Sequence, residues 1–273
     1  MYTMGLDIGS TATKGVIIES GVKIVATATI SSGTGTTGPA RALKELFGKL
    51  DITRSDIEKI VVTGYGRMKY SDADKQISEL SCHTKGVNFL VPSAKTIIDI
   101  GGQDAKALKL NESGKLVNFV MNDKCAAGTG RFLDVMARAL EVNVSDLGDL
   151  SAKSTKEIPI SSTCTVFAES EVISHLSNEV AIEDIIAGIH ASVAKRVSSL
   201  AKRVGIQESV VMVGGVARNR GVVRAMEAAL GLEIIVPDLA QLTGALGAAL
   251  YAFDELESKE LKNNELESNE IEN

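Results

Sequence analysis

The sequence predicts an α/β protein in which one structural unit occurs twice. Strand-like apolar runs alternate with helical stretches, aromatic residues make up only 4% of the chain, and one eight-residue pattern recurs. With 44% hydrophobic residues and no Trp, the core has to consist of Val, Ile, Leu and Ala, which suits an α/β architecture. A chain of 273 residues has enough material for two modest domains.

The recurring pattern is Asp-Ile-Gly, four further residues and then Lys. It reads DIGSTATK at 7–14 and DIGGQDAK at 99–106. Each copy follows an apolar strand and precedes another. A second similarity joins Val61–Gly64 to Val211–Gly214. We therefore expect a duplicated α/β unit with a cleft between the two copies.

The first copy contains its segments in the order that such a unit requires. Two apolar runs around a Gly/Ser/Thr turn indicate a hairpin, and the alternating run that follows indicates a third strand. A helical stretch comes next, with Leu43, Leu46, Phe47 and Leu50 on one face. The predicted strands lie at 2–8, 16–18, 23–30 and 60–64, and the helix lies at 41–50.

The second copy begins at residue 96 with another hairpin. Its predicted strands lie at 96–100, 105–110, 210–213 and 233–236, and its helices at 131–140, 166–177, 182–204 and 221–230. We assign 1–92 to a first subdomain and 93–240 to a second. A helix at about 241–253 is expected to pack on the first subdomain.

The formal charge of −6 is concentrated at the carboxyl end. Residues 254–273 hold eight acidic residues and two lysines, which leaves residues 1–253 neutral. The chain has no excess of basic residues, which argues against nucleic acid as a partner. The charged tail, with isolated Leu residues, is expected to be disordered.

The amino-terminal sequence and the hydropathy pattern favour a cytoplasmic protein. No run approaches the ~18 apolar residues of a membrane span. The opening residues MYTMGLDIGS lack a basic region that leads into an apolar run, so no signal peptide is evident.

Each repeat places a carboxylate, Asp7 or Asp99, at a strand end beside a glycine-containing turn. Backbone N–H groups in such turns bind phosphate oxygens, and carboxylates hold Mg²⁺, usually through water. Two ordinary tight turns with solvated Asp are the alternative, which the pairing disfavours. The candidate phosphate-binding residues are Gly9, Ser10, Thr11, Thr13 and Lys14 on the first loop and Gly101, Gly102 and Gln103 on the second.

Three polar side chains are the candidates for the hydrolysis step itself. Asp7 is the candidate Mg²⁺ carboxylate, while Gln103 and Asp104 are placed to orient a water near a γ-phosphate. Gly214, Gly215, Val216 and Arg218 follow a strand and precede a helix. The glycines would let a flat ring approach the backbone, and Arg218 could stack on that ring, although most Gly-Gly pairs are only turns.

Two other glycine patterns do not favour a nucleotide site. Residues 33–38 fit GxGxxG, but the acidic residues that follow, Asp51 and Asp56, lie near a helix end rather than at the end of a second strand. The pattern GxxxxGK[ST] of a Walker-type site is absent from the sequence.

Cys125 and Cys164 each lie just before a predicted helix. A helix N-terminus stabilises a thiolate. Two cysteines are too few for a four-ligand cluster, but a symmetric dimer would supply four. Spacing alone favours two unrelated core cysteines. An odd total of three argues against a disulfide framework, and Cys82 is interpreted as structural. The histidines at 83, 175 and 190 are interpreted as surface or core residues.

The chain resembles the acetate kinase/Hsp70/actin ATPase superfamily. The resemblance lies in the two Asp-Ile-Gly loops, the Gly-Gly turn and the late helical segment with Gln241. Longer motifs resemble the ATP-dependent activators of 2-hydroxyacyl-CoA dehydratases from amino-acid-fermenting anaerobes, of the BadF/BadG/BcrA/BcrD type. The resemblance covers about 1–253. Its motifs are VTGYGR (62–67), DKQISELSCH (74–83), IDIGGQDAK (98–106), MNDKCAAGTGRFLDVMA (121–137) and ISSTCTVFAESEVISHLS (160–177).

The resemblance implies duplicated actin-like/ribonuclease H-like ATPase domains that bind ATP, ADP and Mg²⁺. It also implies a homodimer with one [4Fe-4S] cluster, held by Cys125 and Cys164 of each subunit. A ferredoxin or flavodoxin would reduce the cluster, and ATP hydrolysis would drive one electron to a partner dehydratase. A small-molecule kinase of the same superfamily is the alternative, although no acceptor-binding insertion is evident. A chaperone-like or actin-like ATPase is less favoured, because the chain lacks their additional domains.

Overall fold

The computed structural model describes residues 1–161 and 164–271. Within these residues the chain forms two five-stranded mixed sheets with accompanying helices, which confirms the predicted α/β class. It divides into two compact units. The first comprises Met1–Phe89 and the chain from Leu242 onward, and the second comprises Leu90–Gln241.

The first unit is built on a sheet with the strand order β3-β2-β1-β4-β5. The three leading strands are antiparallel, whereas β4 runs parallel to β1 and β5 runs parallel to β4. The elements are β1 (Tyr2–Ile8), β2 (Thr13–Glu19), β3 (Lys23–Ile30), α1 (Gly38–Leu50), β4 (Ile57–Thr63), β5 (Lys75–Gln76) and α2 (Glu79–Leu90).

The second unit repeats this connectivity, with the strand order β8-β7-β6-β9-β10. Three antiparallel strands are again followed by two parallel ones. The elements are β6 (Thr96–Ile100), β7 (Ala105–Leu110), β8 (Leu116–Asn122), α3 (Gly130–Ala139), α4 (Leu147–Ser151), α5 (Thr165–Ser177), α6 (Ile182–Val204), β9 (Val210–Val213), α7 (Arg220–Leu230) and β10 (Ile234–Ile235). The duplication inferred from the sequence is therefore a duplication of sheet topology.

Each unit has its own aliphatic core. In the first unit Met4, Leu6 and Leu46 are fully buried between the sheet and α1. In the second, Phe132 of α3 and Ile189 of α6 are buried in the core with residues of the sheet. Burying one such side chain contributes about 1.5–3 kcal/mol, so a core without Trp still stabilises each unit.

The last helix, α8 (Thr243–Ile271), packs on β1 and β4 of the first unit. Its first turns consist largely of small, buried residues, and Ala245, Ala248 and Ala249 are fully inaccessible to solvent. The backbone comes so close to β1 that a Cβ on Gly5 would overlap the carbonyl oxygen of Ala245. None of the helices in the described ranges combines the length and the apolar character that crossing a membrane requires.

From residue 254 onward, where the sequence predicts disorder, α8 continues to Ile271 in the described part of the segment. The segment contains no Gly or Pro that would end a helix. Its first acidic residues also have partners on the first unit. Asp254 lies 2.5 Å from Lys85, and Glu255 pairs with both Lys59, at 2.5 Å, and Lys75. A count of charges within the tail does not show these lysines, because they lie elsewhere in the sequence.

Two glycines at equivalent strand ends show the duplication at atomic scale. Gly64 follows β4 and Gly214 follows β9, and both have φ +87°. A Cβ on Gly64 would lie 2.6 Å from the carbonyl oxygen of Ile8, and one on Gly214 would lie 2.5 Å from Asp99 Oδ1. Only glycine fits, because both the left-handed backbone and the close approach exclude a side chain.

We expect Gly214→Ala to lower the free energy of unfolding by roughly 2–4 kcal/mol, because left-handed strain and a steric overlap add. Gly231→Ala is the matched control. Gly231 also has a positive φ, +68°, but a Cβ there would meet nothing within 4 Å. That variant should lose only about 1 kcal/mol. Urea unfolding followed by circular dichroism measures both, and equal losses would contradict the steric argument.

Candidate functional site

The first candidate loop joins β1 to β2 and is framed by a buried ion pair. Asp7 and Lys14 lie directly opposite each other in the antiparallel register, and Lys14 Nζ is 3.0 Å from Asp7 Oδ2. The Asp7 side chain is 3% exposed. The Gly9 N–H donates to the Ala12 carbonyl at 2.9 Å and closes the turn. Ser10 is half-buried and Thr11 is exposed at its tip.

The second candidate loop, between β6 and β7, has the same frame. Asp99 lies opposite Lys106, with Lys106 Nζ 3.4 Å from Asp99 Oδ2. Lys106 also binds Asp104 Oδ2 at 2.8 Å. The Gly101 N–H donates to the Asp104 carbonyl at 2.9 Å. The spacing Asp-x6-Lys therefore sets a carboxylate opposite an ammonium group across a tight hairpin, which explains why it recurs.

One predicted phosphate donor has another role. Thr13 is fully buried, and its hydroxyl donates to the Ser32 carbonyl at 2.8 Å. Its side chain therefore holds the loop against the β3–α1 connection rather than facing outward. Gln103, in contrast, is exposed at the tip of the second loop, and Gly102 beside it is half-buried.

The glycine-rich segment 33–38 supports the first loop. The Thr34 N–H donates to the Gly9 carbonyl at 2.9 Å. A Cβ on Gly33 would overlap the Ser10 carbonyl, and one on Gly38 would overlap a backbone oxygen of the same connection. These glycines thus serve close backbone packing beneath the loop, which accounts for the GxGxxG pattern.

The candidate adenosine turn follows β9 as a short 3-10 helix, Gly215–Arg218. Gly215 and Arg218 are exposed, and Arg218 Nη1 donates to Gln241 Oε1 at 3.4 Å. The Gly214 N–H donates to the Ala240 carbonyl at 2.9 Å. Val216 packs its side chain into the core, so only its backbone is placed to meet a ligand.

The two candidate cluster cysteines both precede helices. Cys164 is exposed and occupies the N-cap of α5, where its carbonyl accepts the Ala168 N–H at 2.9 Å. Cys125 is half-buried in the connection between β8 and α3, and its carbonyl accepts the Asn122 side-chain amide at 2.8 Å. Residues 162 and 163, within the predicted motif around Cys164, lie outside the described residues.

Hydrogen bonds join the second loop to the segment that carries Cys125. The Gly130 N–H donates to the Gly101 carbonyl at 2.9 Å, and the Arg131 N–H donates to Gly102 at 2.8 Å. These are the first N–H groups of α3, which need partners outside the helix. Thr129 Oγ1 donates to the Ala126 carbonyl at 2.6 Å. The second loop is therefore bonded to the start of α3, a short stretch of chain after Cys125.

The sequence profile of the BadF/BadG/BcrA/BcrD ATPase family matches residues 4–252. The chain belongs to this family. The match includes both loops, the adenosine turn and both cysteines, and it ends shortly before the acidic part of α8.

Named relatives match the chain over nearly its whole length. A 2-hydroxyisocaproyl-CoA dehydratase activator of Clostridioides difficile is 72% identical over 260 residues, which is 95% of this chain and 98% of that protein. The (R)-2-hydroxyglutaryl-CoA dehydratase activating ATPase of Acidaminococcus fermentans is 58% identical over 254 residues, covering 93% and 97%. A solved structure of the Clostridium difficile activator with bound ADPNP superposes with a TM-score of 0.95 at 71% identity, covering 96% and 98%.

In this member of the BadF/BadG/BcrA/BcrD ATPase family, the sequence indicates His190 only as a surface or core residue and does not predict its contacts beside the candidate adenosine turn. His190 of α6 is 2% exposed. Its Nδ1 lies 3.1 Å from Ser151 Oγ, and its Nε2 lies 3.2 Å from Asn219 Nδ2. Asn219 caps α7 by accepting the Gly221 N–H at 2.9 Å and the Val222 N–H at 3.2 Å. The sequence alone indicates that an Asn before a helix caps that helix. It does not indicate the hydrogen bond between Asn219 and His190, which lie 29 residues apart.

The other two histidines have different surroundings. His83 of α2 is buried, and its Nδ1 lies 2.9 Å from Thr243 Oγ1 at the start of α8. Its Nε2 is 3.8 Å from Glu79 Oε1. A Cβ on Gly244 would lie 3.0 Å from His83 Nε2 and 3.2 Å from Asp7 Oδ2, so α8 brings this ring close to the first loop. His175 is half-buried near the end of α5.

We expect acid to destabilise the protein through His190. Burial, with a smaller contribution from the charge of Arg224, lowers the pKa of His190 from 6.5 to about 4. Between those values the unfolded chain binds the proton and the folded chain does not, so stability falls as pH drops from about 6.5 to about 4. The loss attributable to this group is about 2 kcal/mol between pH 7 and pH 5.

Urea unfolding of the wild type and of His190→Gln at pH 7 and pH 5 measures this loss. The variant keeps every other titrating group, so its stability should fall by about 2 kcal/mol less than that of the wild type over this interval. Parallel losses in the two proteins would show that His190 does not contribute.

Proposed function

We propose that the chain is an ATPase that reductively activates a 2-hydroxyacyl-CoA dehydratase by one-electron transfer from a [4Fe-4S] cluster. The observation that carries the proposal is the 72% identity, over 95% of the chain, to a protein named as such an activator. The identity of 58% to an activating ATPase for a different 2-hydroxyacyl-CoA points to the same partner class.

ATP binding follows from the geometry of each loop and from the relative that holds ADPNP. The proposal assigns phosphate contacts to backbone N–H groups of the β1–β2 and β6–β7 loops, aided by Ser10 and Thr11. Arg218 and the exposed backbone at Gly215 are assigned to adenosine. Turns of this kind present several N–H groups to one anion, which suits a polyphosphate.

The carboxylates of Asp7 and Asp99 suit Mg²⁺ bound through water. Carboxylate oxygens are the ligands that Mg²⁺ favours, and this ion keeps several of its waters. Each carboxylate already has a lysine at 3.0 Å or 3.4 Å, which restrains it at the loop and favours an outer-sphere role. When bound, Mg²⁺ would neutralise charge on the phosphates.

Gln103 and Asp104 are assigned to the attacking water. Gln103 is exposed at the tip of the second loop, and Asp104 is held by Lys106 at 2.8 Å. An amide at such a position can orient a water for in-line attack on the γ-phosphate, as in other phosphoryl-transfer sites. Asp104 is the neighbouring acceptor for its proton.

The donor set of Cys125 and Cys164 suits an iron–sulfur cluster shared between two copies of the chain. Each copy supplies two thiols ahead of helices, and a homodimer supplies the four thiolates that such a cluster takes. Cys164 is exposed, and so are Val166 and Phe167 beside it, with 65% and 67% of their surfaces accessible. Exposed apolar residues around an exposed cysteine favour a surface that a partner subunit covers.

When bound, the cluster supplies a one-electron store that a ferredoxin or flavodoxin refills. The chain's own contribution is the connection from nucleotide to cysteine. Because α3 begins on the carbonyls of Gly101 and Gly102, any shift of the second loop on hydrolysis moves the start of α3 and the segment of Cys125. This connection offers a physical route by which hydrolysis alters the cluster's surroundings and hence its potential.

Cys125→Ser and Cys164→Ser should each lose the cluster, because a dimer would retain only two of four thiolates. The full chain is isolated without oxygen, and iron, acid-labile sulfide and native mass are measured together. We expect about four irons and four sulfides per wild-type dimer. Both variants should also fail to activate a purified 2-hydroxyacyl-CoA dehydratase supplied with dithionite and ATP.

Cys82→Ser is the matched control, because Cys82 is fully buried in α2. This variant should keep the iron content and the activation of the wild type. A Cys164→Ser dimer with full iron content would contradict the ligand assignment. A colourless wild-type monomer that resists cluster reconstitution would remove the electron-transfer part of the proposal.

Gln103→Ala should lower kcat for ATP hydrolysis by roughly 10²-fold with little change in KM, because the residue acts on the water rather than on nucleotide binding. Phosphate release measures both constants. Gln207→Ala, an exposed glutamine of the same unit outside both loops, should match the wild type. An unchanged kcat in Gln103→Ala would refute the assignment.

A further inference from the structure

The amino-terminal half of α6 holds the segment that leads towards Cys164. Asp184 Oδ1 accepts the backbone N–H groups of Thr155 at 2.8 Å and Lys156 at 3.1 Å. The Ile158 N–H donates to the Asp184 carbonyl at 3.4 Å. Charge-assisted bonds of this kind are stronger than neutral ones. Residues 155–158 are therefore fixed to the first turn of α6.

One turn further along, the same segment lies directly on the backbone of α6. A Cβ on Gly188 would overlap the carbonyl oxygen of Ile158. Any side chain at position 188 would push the segment away, so glycine is required for this contact.

Two residues beyond Gly188, His190 bonds to the residue that ends the adenosine turn. The directions of these hydrogen bonds fix its state. Asn219 Oδ1 is occupied by N–H groups of α7, so the Asn219 amide N–H faces His190 Nε2, which must accept. Nδ1 then carries the proton and donates to Ser151 Oγ, whose own hydroxyl donates to the Gly148 carbonyl at 3.0 Å. The ring is thus a neutral bridge between Ser151 and Asn219.

Asn219 is also tied to the turn itself, since its N–H donates to the Val216 carbonyl at 2.9 Å. We propose that His190 is a positioning residue that fixes the adenosine turn to α6, so that nucleotide occupancy and the order of residues 155–158 are coupled. The inference rests on the proposed function in one respect, the assignment of adenosine to Gly215–Arg218. Such coupling is reciprocal: a change at residues 155–158 alters nucleotide affinity by the same factor by which nucleotide alters that segment.

Two substitutions at His190 separate its two bonds. In His190→Gln the amide oxygen takes the place of Nε2 and still accepts from Asn219, while the bond to Ser151 is lost. In His190→Asn the amide nitrogen takes the place of Nδ1 and still donates to Ser151, while the bond to Asn219 is lost. A merely structural role would make the two variants equivalent, because each loses one buried hydrogen bond.

Isothermal titration of the full chain with MgADP is the first measurement. We expect affinity to fall roughly tenfold in His190→Asn and by no more than about twofold in His190→Gln. Position 188 contacts neither the nucleotide site nor Asn219. Gly188→Ala should nevertheless lower the affinity for MgADP several-fold, because the added methyl group displaces Ile158. It serves as the second variant should His190→Asn not fold. Ser199→Ala, on the exposed side of α6, is the control and should bind as the wild type does.

Amide hydrogen exchange of the same proteins is the second measurement. MgADP should slow exchange at Thr155 and Lys156 several-fold in the wild type and in His190→Gln, but not in His190→Asn. Equal MgADP affinity of the two His190 variants, or wild-type exchange at 155–156 that ignores MgADP, would overturn the inference and leave the proposed function standing. A wild-type chain that binds no MgADP would instead overturn the nucleotide assignment itself.

Discussion

A lysine held directly opposite an aspartate across a tight hairpin is the constraint on which both candidate loops depend. The pairs Asp7–Lys14 and Asp99–Lys106 occupy the same register in two sheets of the same topology. A buried ion pair of this kind contributes little net stability, since desolvation offsets the attraction. Its value is position: each carboxylate and each turn is fixed before a ligand arrives, which is what an anion site needs.

The same constraint explains where glycine is required. The strand that runs parallel to each hairpin ends against its carboxylate, at Gly64 in one unit and Gly214 in the other. Beyond Gly214 the chain continues directly into the candidate adenosine turn, Gly215–Arg218. In the second unit the hairpin carbonyls also receive the start of α3, so one loop joins the candidate phosphate-binding turn to the segment that carries Cys125. Little of this arrangement can change without moving both.

The sequence predicted the α/β class, the duplication, most strands and the helices that follow Cys125 and Cys164, because each of these leaves a local pattern. Strand β8 was missed: it lies at a sheet edge, and asparagines interrupt its apolar residues. The direction of the Thr13 hydroxyl and the bridge through His190 depend on partners far along the chain, which periodicity does not encode. The continuation of α8 past residue 254 likewise depends on distant partners, because Asp254 and Glu255 pair with lysines on β4, β5 and α2.

The placement of α8 also sets an order of assembly. The second unit is one continuous stretch, Leu90–Gln241, whereas the first needs both ends of the chain. Strand β1 leaves a ribosome before the second unit does, and the helix that covers it leaves after the second unit. The second unit, with both cysteines and the candidate adenosine turn, is complete in the emerging chain while the first still exposes the apolar surface that α8 will bury. During synthesis the cysteine-bearing half is therefore the first to be able to fold.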